Sequence, residues 1–333
     1  MHPAVIEPRT RILGTGRYVP SRVVENAELE RELATTSEWI EKHTGILRRH
    51  VAAEGEVTSD MAAAASRAAI EAAGLTVADL DMIILATVSG DSPMPATAVH
   101  VQQKLGADLI PSFDVGASFA GFLYAMTIGD QFIAAGTYNT ILVVGADLMS
   151  RRVDPADRAT RPIFGDGAGA VVLGPATGDG RGILSSRIHA DGALGNLVGI
   201  PGGGSAEPMT EERLAAKRQY LRMEGPELYN ITVKHLTSYS MQALKAAGLT
   251  SAELDWVVPH QANKNIVDRI SQRLGYSRKK FVENVAEYGN TSAASIPIAL
   301  DEAVRDGRIQ PHQTVLLCAL GAGLAWGAAI VRM

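Results

Sequence analysis

The sequence predicts an α/β protein made of two similar halves related by a pseudo-two-fold axis. The main observation is an internal repeat: AIEAAGLTVADLDMII (69–84) and ALKAAGLTSAELDWVV (243–258) match in one register. The offset between the copies is 174, which is Gly248 minus Gly74. Two similar segments of this length in one chain are typical of a duplicated structural unit.

The same offset matches two further places in the chain. It superposes Thr140 of TILVV on Thr314 of TVLLC, and it brings the opening strand at 11–13 near 185–187. Matches at three separated places indicate duplication of a whole half rather than of one short segment.

Each copy contains an alanine-rich helix ending at Gly74 or Gly248, a β-branched strand, another helix and a second buried strand. Strands that are apolar throughout predict sheets covered by helices on both faces. We expect the halves at 1–175 and 176–333, with a helix pair shared between them in the middle layer. The polar, glycine-rich stretch after Asp191 is expected to be a surface excursion.

Composition excludes several classes of protein. The chain of 333 residues is 46% hydrophobic and 20% charged, with a net charge of −5, which argues against nucleic acid or membrane surfaces as partners. No apolar run reaches the roughly 20 residues that span a bilayer. Residues 1–12 lack the apolar stretch of a signal peptide, so we expect a cytoplasmic protein.

Cys318 is the only cysteine, which excludes an intramolecular disulfide and a thiolate metal site. It lies in an apolar, strand-like run at 314–320 and is expected to be a buried, unreactive thiol. The segment GDGAGA (165–170) lacks the full spacing of a dinucleotide-binding loop and its downstream acidic residue, so no dinucleotide site is predicted.

One candidate for chemistry is the segment SFDVGASFAGFLYAM (112–126), a strand, a run of small residues and a helix. Small residues allow a sharp turn that presents one side chain at a helix N-terminus, where amides and the macrodipole favour an anion. Such a position suits a thiolate or an oxyanion. The residue in it is Phe119.

The second half supplies two polar candidates. His260 in VVPHQANKNIVDRI follows a strand directly, and ligands bind at such strand ends in open α/β sheets. Asn290 in EYGNTSAASIPIAL precedes a helix and corresponds, under the offset, to Gly116. We therefore expect the two small-residue turns to meet at the pseudo-two-fold, near His260. Taken singly, His260 is equally compatible with a structural histidine, and Asn290 is more typical of a turn or N-cap residue.

These residues carry a family resemblance. DVGASFAGF resembles the nucleophile motif of β-ketoacyl-acyl carrier protein synthase III, and PHQAN and GNTSAAS resemble its histidine and asparagine motifs. FGDGAGA, LDEAVRDGRI and the ending GAGLAWGAAIVRM are also similar, so the resemblance runs from about Arg11 to Met333. It implies a duplicated thiolase-like fold, five-layered αβαβα, and an acyltransferase of fatty-acid initiation.

In that family a cysteine takes the acyl group, and its position falls on Phe119; the histidine falls on His260 and the asparagine on Asn290. The thiolate attacks an acyl-CoA thioester, and malonyl-acyl carrier protein then loses carbon dioxide to give the attacking carbanion. The histidine and asparagine donate hydrogen bonds to the thioester carbonyl. An aromatic ring is no nucleophile, and Ser118 lies about 100° away around a helix. We therefore expect no condensation.

Two explanations of Phe119 stay open. It is either a substitution introduced to block acylation or to mimic an acylated side chain, or a natural residue. In the natural case the protein is a malonyl-thioester decarboxylase or a non-catalytic partner of an active paralogue. We favour an introduced substitution, because the histidine and asparagine motifs are both intact.

The resemblance also implies binding residues. Trp39 and Arg158 would stack on either side of the CoA adenine, and Asn263 would bond the pantetheine arm. His43 stands where the family commonly has arginine, which predicts weaker phosphate contacts. The turn from Gly321 to Gly323 is expected to shape the oxyanion pocket through backbone groups. The thioesters are substrates, and no cofactor or metal is implied.

Assembly and partner docking are further expectations. The family forms homodimers in which Met94 would correspond to a residue lent to the partner's acyl channel; a core-filling methionine is the alternative. Lys264, Arg269 and Arg273, helped by Lys279 and Lys280, could form a basic face for the acidic carrier protein. An ordinary solvated helix face explains the same charges.

Overall fold

A computed structural model describes residues 7–333 of the chain. The signal-peptide argument rests partly on residues 1–6, which lie outside this range, so it stays a prediction. Within the described part, no helix is long and apolar enough to cross a membrane.

Over its described residues, 7–175, the first half contains seven strands and five α-helices. The strands are β1 (Thr10–Tyr18), β2 (Arg22–Glu25), β3 (Arg48–Val51), β4 (Met82–Ala86), β5 (Ser112–Val115), β6 (Ile141–Leu148) and β7 (Asp166–Pro175). The helices are α1 (Asn26–Glu32), α2 (Ser37–Thr44), α3 (Thr58–Ala72), α4 (Thr97–Leu105) and α5 (Gly121–Ala134).

The second half contains six strands and five helices. The strands are β8 (Gly182–Ala190), β9 (Val198–Gly199), β10 (Arg222–Met223), β11 (Trp256–Pro259), β12 (Thr314–Gly321) and β13 (Ala325–Arg332). The helices are α6 (Glu211–Ala215), α7 (Gly225–Ala246), α8 (Lys264–Leu274), α9 (Val285–Tyr288) and α10 (Ser295–Arg305).

Each half is organised around one mixed sheet. The first sheet has the order β1-β7-β6-β4-β5, in which β4 is parallel to β5 and β6, and β7 is antiparallel to its neighbours. The second sheet has the order β11-β12-β13-β8, with β11 parallel to β12 and the other pairs antiparallel. The strand at the edge beyond β11 is reduced to a single bridge between Val257 and Phe281.

Alternate residues of the central strands face different cores, which defines the layers. In β6, Ile141 and Val143 face the core between the sheets, whereas Leu142 and Val144 face α3. In the same way β12 divides its residues between the middle core and the core under α7 and α8. Helices α5 and α10 lie in the middle core, in contact with strands of both sheets. The predicted duplicated αβαβα fold, with a shared helix pair, is confirmed.

The repeat holds residue by residue at the point where the halves meet. A 3₁₀ turn at Ser118–Ala120 leads into α5, and a 3₁₀ turn at Ser292–Ala294 leads into α10, at the same offset of 174 (292 minus 118). Ser118 and Ser292 both have positive φ, at 49° and 56°. Because non-glycine residues rarely adopt this conformation, its repetition identifies the two turns as one inherited structure.

These turns approach strands of the opposite half closely enough to require glycine. A Cβ added to Gly321, at the end of β12, would lie 2.7 Å from the backbone nitrogen of Phe119. A Cβ on Gly145, in β6, would overlap the carbonyl oxygen of Ala293. Backbone-to-backbone packing across the pseudo-two-fold therefore depends on missing side chains.

The stretch after Asp191 is mostly exposed, as expected for a surface excursion. It is nevertheless held to the body of the protein, because Leu197, Val198 and Leu221 are buried in the same core cluster as Phe119. The short strands β9 and β10 pair with each other within it.

We expect Gly321→Ala to lower the free energy of unfolding by about 1–3 kcal/mol, since the added methyl group forces the Phe119 turn away from β12. The matched control is Gly116→Ala in the same motif, where a Cβ would meet nothing within 4 Å and φ is not positive. Denaturant titration of both variants measures the difference. Equal stability of the two variants would contradict the close packing of the turns.

Candidate functional site

Phe119 lies in the 3₁₀ turn that precedes α5, as the sequence predicts for the residue presented at this helix start. Its side chain is 6% exposed and belongs to a core cluster with Phe164, whose ring centroid is 5.9 Å away. The Phe119 ring also stacks on the imidazole of His260, with centroids 5.3 Å apart and an interplanar angle of 11°. Phe119 and His260 are therefore brought together.

His260 follows the last residue of β11, and its backbone N–H donates to the Cys318 carbonyl at 2.8 Å, which continues the parallel pairing with β12. Its Nδ1 lies 2.6 Å from the Ser295 hydroxyl oxygen. In the described part of the chain its buried Nε2 has no hydrogen-bond partner. Burial lowers the pKa of His260 from the ordinary 6.5 to about 3, so the ring is neutral near pH 7.

Asn290 is tied to this group by backbone hydrogen bonds to the two residues that flank Phe164. Its N–H donates to Ile163 at 2.8 Å, and its carbonyl accepts from the N–H of Gly165 at 3.1 Å. Its side-chain Oδ1 accepts from the Ser292 N–H at 2.9 Å, which directs the carboxamide and leaves its NH₂ as the group able to donate to a ligand. Phe164 thus connects Asn290 to Phe119, and all three predicted residues lie around one place.

Asp147 is a site residue that sequence reasoning missed. It is fully buried at the end of β6 and accepts from Val88 N–H and Ser89 hydroxyl, both at 2.8 Å, and from Ala293 N–H at 3.2 Å. Burial raises the pKa of its carboxyl group. The repeat could have revealed it, because Asp147 corresponds to Gly321 under the offset, and each residue supports the turn of the other half.

Ser295 and Phe164 were also missed as site residues. Both stand inside motifs singled out in the sequence, GNTSAAS and FGDGAGA, but their neighbours come from distant segments. No local pattern predicts which ring or hydroxyl will contact His260 or Phe119.

Trp39 and Arg158 lie together, as predicted, but not with space for a ring between them. The Arg158 Cζ is 5.3 Å from the centroid of the Trp39 indole, and its Nη1 donates to the Ala34 carbonyl at 3.1 Å. An intervening adenine needs about 7 Å, twice the usual contact distance. Arg158 must therefore move for adenine to stack here. His43 also stacks on Trp39, at 4.3 Å between ring centroids.

The remaining predicted contacts lie on or near α8. Asn263 caps this helix, since its Oδ1 accepts from the Ile266 N–H at 3.0 Å, so only its NH₂ is left to donate elsewhere. Lys264, Arg269 and Arg273 are all exposed on the helix, as is Lys279 beyond it. Lys280 is turned inwards and donates to the Leu254 carbonyl. Lys280 is therefore not one of the exposed cations of this region.

Met94 is 85% exposed, so the alternative of a core-filling methionine is wrong.

Gly321 and Gly323 flank the turn next to Phe119. Gly323 has φ +136°, a conformation that side chains disfavour. Cys318 is fully buried, and burial raises its pKa to about 12, as expected for an unreactive thiol. GDGAGA leads into strand β7 rather than a phosphate-binding loop, and Asp166 is bonded by Ser150 and Ala52.

The duplicated five-layered arrangement, with a buried turn of one half facing a histidine and an asparagine of the other, is the thiolase-like fold. Models of the 3-oxoacyl-[acyl-carrier-protein] synthase III family match residues 113–192, and models of its C-terminal part match 244–333. The β-ketoacyl-[acyl-carrier-protein] synthase III of Rhodospirillum rubrum is 48% identical over 330 residues, 98% of this chain and 99% of that protein. The corresponding enzyme of Paramagnetospirillum magneticum is 46% identical over 98% of this chain and 99% of its own length. The chain belongs to the 3-oxoacyl-[acyl-carrier-protein] synthase III family.

Solved structures agree with this assignment. The synthase III of Aquifex aeolicus superposes with a TM-score of 0.90 and 39% identity, covering 97% of this chain and 100% of that one. A priming β-ketosynthase of a polyketide pathway also superposes with a TM-score of 0.90, at 32% identity, covering 98% and 97%.

The depressed pKa of His260 predicts a pH dependence of stability. His260 takes up a proton less readily in the folded protein, where its pKa is about 3, than in the unfolded chain, where it is about 6.5. Its contribution to stability is therefore fully present above pH 6.5 and is lost as the pH falls towards 3. The loss is about 1.4 kcal/mol for each pH unit in this window. His260→Gln removes this dependence, and denaturant titrations at several pH values measure the difference between the two proteins. Parallel curves for both proteins would show that His260 titrates normally.

Proposed function

We propose that this chain is a β-ketoacyl-acyl carrier protein synthase III whose acyl-transfer step is blocked, so that it does not condense. The observation that carries the proposal is Phe119 in the turn where the family motif has its cysteine, buried and stacked on His260. A phenyl ring has no lone pair with which to attack a thioester. It also fills space next to the imidazole, where an acyl group on a cysteine would begin.

The proposed substrates are an acyl-CoA and malonyl-acyl carrier protein. The carrier protein is part of the names of the relatives, and the exposed basic residues Lys264, Arg269 and Arg273 suit an acidic partner. Trp39 and Arg158 suit a flat adenine once Arg158 swings aside. The reaction needs no metal or redox cofactor, because both carbon groups arrive as thioesters.

We propose a homodimer, since Met94 is a large apolar side chain left almost entirely in solvent. In the assembly it would enter the acyl channel of a second copy. With 85% of its surface exposed, the Met94 side chain is accessible for such a contact.

A second candidate function is decarboxylation of a malonyl thioester by the chain as it stands. It is favoured by the neutral His260, whose buried Nε2 lacks a protein partner in the described residues, and by the free NH₂ of Asn290. Both can donate to the thioester carbonyl oxygen. The carbon–carbon bond to the carboxylate then breaks and carbon dioxide leaves. The electron pair of that bond forms the enolate, which takes a proton from water to give the acetyl thioester.

Phe119→Cys is expected to restore acylation, since it supplies a thiol at the helix start. Incubation with acetyl-CoA should add the mass of one acetyl group to the intact protein. Phe119→Ala removes the same ring without adding a nucleophile and should gain nothing. If folded Phe119→Cys takes up no acyl group from any starter tested, the synthase assignment of this site is refuted.

Carbon dioxide release from malonyl-CoA tests the second candidate. The unmodified chain should release it, and His260→Ala should lower the rate by about 10²–10³-fold, the usual cost of losing one donor to a developing oxyanion. The control is His312→Asn, which replaces a histidine just before the start of β12, at the end of that strand away from Phe119. No release above the uncatalysed rate would eliminate decarboxylation, and stable co-purification with an active paralogue would then favour a non-catalytic partner.

A further inference from the structure

The contact between His260 and Ser295 is the feature of the site that the family motifs leave unexplained. Both residues are buried, and the Ser295 hydroxyl oxygen lies 2.6 Å from His260 Nδ1. Ser295 is the first residue of α10, and His260 follows β11, so the contact joins two elements that are distant in sequence.

The repeat provides an internal comparison for this contact. Under the offset of 174, His260 corresponds to Ala86 and Ser295 to Gly121 (260 minus 86; 295 minus 121). These positions also touch in the first half, where a Cβ on Gly121 would lie 3.0 Å from the Ala86 Cβ. The fold therefore packs this contact with the smallest side chains in one half. A buried polar pair in the other half is not needed for packing, and buried polar groups cost free energy unless they are bonded.

The hydrogen bonds around Ser295 decide which atom holds the imidazole proton. The Ser295 oxygen also accepts from the Gln261 backbone N–H, at 3.4 Å. A hydroxyl has one proton to give, and in the described residues Nδ1 of His260 is the acceptor within reach. If Nδ1 carried the proton instead, the serine hydroxyl would be buried with its own proton unpaired. The network thus favours a proton on Nε2, the nitrogen without a protein partner.

Gln261 fixes the backbone on the other side of the ring. Its side chain is fully buried and donates to the carbonyls of Pro259 and Val282, at 2.9 and 3.0 Å. Its Oε1 accepts from the Asn284 N–H at 3.2 Å. The main chain at His260 is held by Gln261, and the direction of the ring is left to Ser295.

We propose that Ser295 is a positioning residue that holds His260 in the Nε2–H tautomer, the form able to donate a hydrogen bond to the thioester carbonyl oxygen. The role of this hydrogen bond in catalysis rests on the proposed function. The tautomer itself does not, since it follows from the contacts of the protein alone.

The test uses the full chain labelled with ¹⁵N-histidine. Side-chain nitrogen shifts of His260, assigned by their loss in His260→Gln, report which nitrogen bears the proton. The unmodified chain should show Nε2–H, and Ser295→Ala should move both shifts towards a mixture of tautomers. Ser295→Thr keeps the hydroxyl and should restore the original shifts; Ser295→Cys, with a weaker donor, is the substitute if threonine prevents folding. Ser66→Ala, a buried helical serine bonded to the Ala62 carbonyl, is the matched control.

Unchanged nitrogen shifts in folded Ser295→Ala, or a proton on Nδ1 in the unmodified chain, would overturn the proposal. Activity is a separate readout: malonyl decarboxylation, or condensation in the Phe119→Cys background, should fall roughly tenfold or more in Ser295→Ala, as expected for a wrong tautomer. If the parent proteins are inactive in both assays, the proposed function fails while the nitrogen shifts still decide the role of Ser295. A shifted tautomer with unchanged activity would refute the positioning role in catalysis.

Discussion

The contact between the two 3₁₀ turns at the pseudo-two-fold is the constraint on which the rest of the structure depends. Each turn bends through a serine with positive φ and then starts a middle-layer helix, so the turns set the directions of α5 and α10. Gly145 and Gly321 let strands of one half pass against the turn of the other. Asp147 adds a buried carboxylate that accepts from Ala293. Because these contacts hold the two turns together, Phe119 is placed next to side chains of the second half.

The two copies use the same positions for different purposes. Contact positions filled by Ala86 and Gly121 in the first half hold His260 and Ser295 in the second. In the same way Asn290 stands where the first half has Gly116. One copy therefore keeps small residues and presents Phe119, and the other concentrates the polar groups. Symmetric backbones with unlike side chains bring an apolar ring and hydrogen-bonding groups into contact, which neither copy could do alone.

Much of this arrangement could be predicted from the sequence, because it depends on the internal repeat and on the pattern of apolar residues. The offset of 174 and the fully apolar strands predicted two covered sheets, and the offset also predicted that Asn290 would lie opposite the Phe119 turn. Contacts that depend on packing between distant segments were beyond sequence reasoning, as with Ser295 beside His260 and Phe164 between Asn290 and Phe119. Arg158 illustrates a further limit, since motif similarity identified its neighbour Trp39 but not the closed spacing between them.

The position of Phe119 has a consequence for how the protein changes over time. Both phenylalanine codons differ from a cysteine codon by one nucleotide, so a single base change separates the present chain from one with a thiol at this turn. His260 and Asn290 belong to the other copy of the repeat and are not altered by that base change. Gain or loss of a thiol at this turn therefore takes one base change, whether the phenylalanine was introduced or is natural.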